Sequence, residues 1–108
     1  MRRILLPFLL VTVIVCGEAV PSAFEASLAA KFRTIYVTSM LHYQDLFLVG
    51  TYNAGLHIFR DGKPLTVLKD ELVSPGVIDL AVDGGTILVA CDVGLNALDL
   101  PAMTVRTL

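Results

Sequence analysis

Leu48-Val49-Gly50-Thr51-Tyr52-Asn53-Ala54-Gly55-Leu56-His57-Ile58-Phe59 reads as an apolar strand, a short polar turn, and Gly-Leu opening a second strand. The pattern returns about 40 residues later as Leu88-Val89-Ala90-Cys91-Asp92-Val93-Gly94-Leu95-Asn96-Ala97-Leu98. A fixed period of that length with strand-like patterning is the signature of repeated β units such as propeller blades. Aligning Leu48 with Leu88 also puts Val37 on Val77 and Met40 on Leu80. Gly55 and Gly94 are only 39 apart, so the second turn is one residue shorter. Turns are where a repeat tolerates such a deletion.

Working outward, the first unit predicts strands over 35–41, 45–51, 55–60 and 65–69, with Leu65 and Val67 on one face of the fourth. Arg60-Asp61-Gly62-Lys63 marks a tight hairpin, because Asp-Gly supplies the positive φ angles that such a turn needs. Asp70 to Gly76, carrying Ser-Pro-Gly, reads as a loop. The second unit predicts strands over 77–82, 86–91, 94–98 and 103–107. The expected fold is all-β: two four-stranded antiparallel propeller blades, about 34–70 and 77–108, forming an incomplete propeller. The apolar runs Leu46 to Val49 and Ile87 to Val89 are expected to be buried on both faces.

The N-terminus has a different character. Arg2 and Arg3 precede an uncharged, almost wholly apolar run of 12 residues, Ile4 to Val15, and then small residues. That layout predicts a secretory signal peptide over 1–22, cleaved after Ala19 or after Ser22. A bilayer span needs about 20 apolar residues, which disfavours a permanent anchor. Cys16-Gly17 invites a lipoprotein reading, but the bulky Val15 before the cysteine opposes it. The expected location is secreted or periplasmic, with membrane contact only through an uncleaved signal segment. Residues 23–33 predict a linker or a short helix with Ser22 as N-cap, Glu25 reaching back, and Phe24, Leu28 and Phe32 on one face.

Removal of the leader takes away Arg2, Arg3 and Glu18 and leaves six basic against nine acidic side chains, a net charge of −3. A mildly acidic surface argues against nucleic acid, whose phosphates require a basic footprint. Cleavage also removes Cys16, so Cys91 is alone and is expected to be a small buried hydrophobe.

At Gly50-Thr51-x-x-x-Gly55-Leu56 the chain resembles the two-component-regulator propeller repeat family. Its blades carry Trp-x-Gly-Thr followed by Gly-Leu, and a Val-x-x-Ile-like strand opens the next blade, as Val77-Ile78-Asp79-Leu80 does here. The likeness covers about 34–108 and departs in three places. Leu48 and Leu88 replace the tryptophan, Ala90-Cys91 replaces the second Gly-Thr, and only two blades are present. The resemblance implies an extracytoplasmic recognition or sensing module. A repeat array needs about three units to bury its faces. The expectation is therefore a part of a longer propeller, a ring closed by several copies of the chain, or a small two-sheet module.

No residue set predicts catalysis, a metal or a cofactor. His42 and His57 lie in different strands without ligand spacing, and His57, alternating with apolar neighbours, is expected to face outward. Asp61-Gly62-Lys63 and Asp83-Gly84-Gly85 read as turns, Asp70-Glu71 as solvated acids, and Ser74 before Pro75 as a turn residue. Asp92 sits in the turn between the second and third strands, where propeller loops line one face, and a turn-stabilising role leads. The expected partners are further blades, other copies of the chain, or an unidentified small-molecule or glycan ligand. The alternatives are a fragment of a propeller enzyme, such as a lyase, hydrolase or quinoprotein, and a structural interaction module.

Overall fold

A computed structural model describes residues 22–108. The expected signal peptide lies outside these residues but for Ser22. The chain divides into two units between Ala30 and Lys31. Among the described residues the first holds most of helix α1 (Ala23–Lys31), and the second holds every strand. The helix begins as the sequence predicts. The Glu25 N–H donates to Ser22 Oγ at 3.1 Å, and the Ser22 N–H donates to Glu25 Oε1 at 2.9 Å. This reciprocal pair occupies two otherwise orphaned donors. The helix stops at Lys31, so Phe32 lies just past its end.

Eight strands follow, in two antiparallel meanders. The first sheet contains β1 (Val37–Tyr43), β2 (Leu46–Thr51), β3 (Leu56–Arg60) and β4 (Lys63–Leu68), in that order. The second contains β5 (Val77–Asp83), β6 (Thr86–Cys91), β7 (Leu95–Asp99) and β8 (Thr104–Thr107). The register repeats down to its irregularities. Val37 faces Thr51 and Ser39 faces Gly50 across a bulge, and Val77 faces Cys91 and Asp79 faces Ala90 across the equivalent one. The Tyr52 N–H bonds Tyr36 O at 2.9 Å, and 40 residues on, the Asp92 N–H bonds Gly76 O at 2.8 Å. The hairpin at Asp61-Gly62 has φ of 51° and 78°, the positive pair a tight turn requires.

One face of the first sheet packs on one face of the second. Leu46, Leu48, Leu56, Ile58 and Leu68 meet Leu80, Ile87, Val89, Cys91 and Leu98 in one apolar cluster, with Leu72 of the connecting loop beside them. The approach is closest at β5, where a Cβ on Gly50 would stand 2.7 Å from Val77 Cγ1. Polar bonds stitch the same seam: Thr38 Oγ1 donates to Val77 O at 2.6 Å, and Tyr43 OH to Gly84 O at 3.1 Å.

Two expectations need correction. His57 does not face solvent; it is buried, because Phe32 folds back over its side of the first sheet. Neither apolar run is buried on both faces throughout: Phe47 is half-buried within Leu46 to Val49, and Leu88 is half-buried while Ile87 and Val89 are fully buried. Leu65 and Val67 line the same cavity and are exposed, and β4 contributes Leu68 to the core. A register irregularity between Ile58 and Phe59 leaves Leu65 out of the ladder, while Val67 and Leu68 alternate regularly opposite His57 and Leu56.

Candidate functional site

The strand order gathers four segments at one end of the second unit: residues 33–36 before β1, the turn 52–55, the loop 69–76, and the turn 92–94. Each is fastened by its own sequence. Thr51 is buried, its Oγ1 donating to Gly55 O at 2.7 Å and accepting from the Ala54 N–H at 2.9 Å. Gly55 completes that turn with φ of 80°, and a Cβ there would collide with the Leu68 carbonyl. The Gly55 N–H bonds Pro75 O at 3.1 Å, which ties the loop to the turn.

The second turn uses different side chains for the same purpose. Ser74 Oγ donates to Asp92 Oδ1, and the Gly76 N–H donates to Ser74 Oγ at 3.1 Å. Gly76 is packed so closely that an added Cβ would fall 2.7 Å from Tyr52 O and 2.9 Å from Asp92 Cγ. Below them Cys91 is buried, accepting from Asn96 Nδ2 at 3.3 Å and placing Sγ 3.3 Å from Ser74 O. Burial pushes the Cys91 thiol above its ordinary value, chiefly by disfavouring the thiolate. Cys91 is thus a packed thiol within a hydrogen-bonded turn, as its apolar strand implied.

What this end shows to solvent is aromatic and polar. Tyr36 and Tyr52 are 74% and 56% exposed, with ring centroids 6.2 Å apart and planes tilted by 48°. Asn53, Asp92 and Val93 are exposed nearby in the two turns. The tyrosine pair was not legible as a site, because the two residues lie 16 apart in the sequence. Only the pairing of Val37 with Thr51 makes them neighbours.

The remaining polar candidates do not converge. His42 is exposed, with its ring 6.2 Å from that of Phe47 on the opposite face from the apolar cluster. Glu71 accepts from the Lys69 N–H at 3.1 Å and so serves the loop. Asp45 pairs with Arg60 at 3.3 Å at the other end of the sheet. Among the described residues no three His, Cys, Asp or Glu side chains are grouped to hold a metal ion. No helix among them is long and apolar enough to cross a membrane. Comparison with protein-family models, curated proteins and solved structures finds no match to this chain.

Proposed function

We propose that each sheet is a propeller blade, that the chain is an exported part of a longer propeller, and that its loop end is a recognition or sensing surface. The observation that carries this reading is the repeat of register, bulge and turn bonds at a 40-residue offset, which brings equivalent loops to one end. Repeats that stack in this way hold their strands as scaffold and leave loops to vary. The exposed Tyr36 and Tyr52 rings, with Asn53 beside them, offer apolar faces and hydrogen bonds together, a chemistry suited to a glycan or a small polar ring.

The test is ligand-observed NMR of the exported chain against soluble oligosaccharides and small metabolites. Binding that disappears in Tyr52→Ala and Tyr36→Ala, with the fold retained, supports the reading. Binding untouched by both variants, or no binding across the panel, goes against it. Mass spectrometry of the exported chain tests the leader: a new N-terminus after Ala19 or Ser22 is expected.

A second reading, an interaction module completed by further copies, is favoured by one observation. The side of the second sheet carrying Leu88, Ala90 and Leu95 is half-buried or exposed, while its repeat equivalents Leu48, Gly50 and Leu56 are buried.

A further inference from the structure

His57 and Asn96 occupy the same place in the repeat. His57 faces Val49 and Val67 in its sheet, and Asn96, 39 residues later, faces Val89 and Thr107. Both are buried, at 8% and 0% exposure, and both lie under the segment that leads into their sheet. That segment carries Phe32 for the first sheet and Leu72, 40 residues on, for the second.

The two sites differ in how the covering segment is held. Asn96 Oδ1 accepts from the Val73 N–H at 3.1 Å and from Thr107 Oγ1 at 3.5 Å, while its Nδ2 donates to Cys91 Sγ at 3.3 Å. Loop 69–76 is thus bonded down onto β7. At the first sheet the Phe32 ring stands edge-on to the imidazole, with centroids 4.9 Å apart and planes at 79°. Neither His57 ring nitrogen has a hydrogen bond of good geometry among the described residues, and the Ala54 backbone is the polar group that favours its protonated form. A small open cavity of about 110 Å³ runs alongside, lined by Lys31, His57, Phe59, Pro64, Leu65 and Val67.

We propose that His57 is an acid-released latch: neutral, it accepts Phe32 and the 31–36 segment over the first sheet, and protonated, it expels them. The surroundings leave an imidazolium no counter-charge. Lys31 is the charged group that acts on the ring. Residues 31–36 add Arg33; β2 has no charged side chain; β3 ends in Arg60, and β4 starts with Lys63. No acidic residue occurs in β1 to β4 or in 31–36, and Asp45, in the turn before β2, is paired with Arg60. A proton taken from solvent therefore creates a buried cation among cations; the Ala54 backbone offsets only part of that cost, and hydration, which offsets the rest, requires the aromatic lid to lift.

The direction of the titration agrees. Burial first, and Lys31 second, lower the His57 pKa, while the Ala54 backbone acts in the opposite sense. Between the ordinary imidazole value, about 6.5, and the lowered one, the docking equilibrium falls about tenfold per pH unit.

The test is NMR and amide exchange on the whole chain, corrected for intrinsic exchange, between about pH 7.5 and pH 5. The expected result is a His57 ring that titrates below the ordinary value, with the 31–36 amides losing about tenfold protection per unit over the same range. His57→Leu should abolish the pH dependence. His57→Asn should abolish it too and raise protection at Arg33, since an amide there can bond the Arg33 N–H as Asn96 bonds that of Val73. Should His57→Leu fail to fold, His57→Asn carries the comparison. Equal protection of 31–36 at both pH values in the wild type, or pH dependence that survives in both variants, would overturn the proposal.

Discussion

Replacing Gly50 by alanine asks how closely the two sheets are fitted. The added Cβ would stand 2.7 Å from Val77 Cγ1, 3.3 Å from Val77 Cβ and 3.5 Å from Thr38 Oγ1. Val77 is fully buried and β-branched, so its methyl group has little freedom to swing away. Overpacking of this kind costs about 1–3 kcal/mol. An ordinary strand glycine gains about 0.5–1 kcal/mol on becoming alanine, which offsets part of that. The net expectation is a loss of about 1–2 kcal/mol, or roughly 4–16 °C in Tm for a domain of this size. The control is built into the repeat. Ala90 is the equivalent of Gly50 but is only half-buried, and Ala90→Gly should cost no more than about 0.5–1 kcal/mol. Urea denaturation of Gly50→Ala, Val77→Ala and the double variant reads the coupling directly, and at least about 0.5 kcal/mol of non-additivity is expected. A Gly50→Ala protein as stable as the wild type, or a cycle that adds without coupling, refutes the close approach of β2 to β5.

Other perturbations probe the turns and faces. Thr51→Val keeps the shape but strands the Ala54 N–H, while Gly55 O keeps the Thr51 N–H at 3.2 Å, and should cost about 1–3 kcal/mol by urea denaturation. Gly55→Val forces a β-branched residue to positive φ against the Leu68 carbonyl; its Tm should fall well below that of His57→Ala, which also removes two unpartnered nitrogens. Because burial raises the Cys91 pKa, the folded chain keeps a proton that the unfolded chain loses, so stability is present below about pH 8.5 and declines as pH rises above it. Urea midpoints near neutrality and in alkali should therefore diverge in the wild type and not in Cys91→Ala. The uncovered side of the second sheet should make the chain self-associate with concentration in light scattering, and Leu95→Lys should reduce this; a monodisperse wild-type monomer would contradict it.

The strands were legible because their boundaries are written in turn chemistry. Asp61-Gly62 and Gly84-Gly85 end strands by residue type, and the Ser22/Glu25 spacing announces the helix start. Burial was harder to read. Alternation around His57 shows which residues share its face, but it does not show that Phe32, 25 positions earlier, will cover that face. The repeat itself held a hint: His57 aligns with Asn96, and two polar residues at one repeat position imply a shared environment.

The losses from the repeat motif follow packing rather than chance. Gly50 is demanded by Val77, and Thr51 closes a four-residue turn from within. Their equivalents, Ala90 and Cys91, face different demands. Ala90 has room for its methyl group on a half-covered side, and Cys91 precedes a turn one residue shorter that keeps the backbone bond of the first, Cys91 N–H to Gly94 O at 2.9 Å matching Thr51 N–H to Gly55 O at 3.2 Å, without the side-chain hydroxyl. The same side of the second sheet substitutes Ala81 for Leu41 and Ala97 for Ile58. At these two positions the side chain is smaller, while Leu88 and Leu95 keep the size of Leu48 and Leu56. A face trimmed at Ala81 and Ala97 has less apolar surface to solvate there when bare, while Ala90 in place of Gly50 bars an approach as close as that of Val77 to the first sheet.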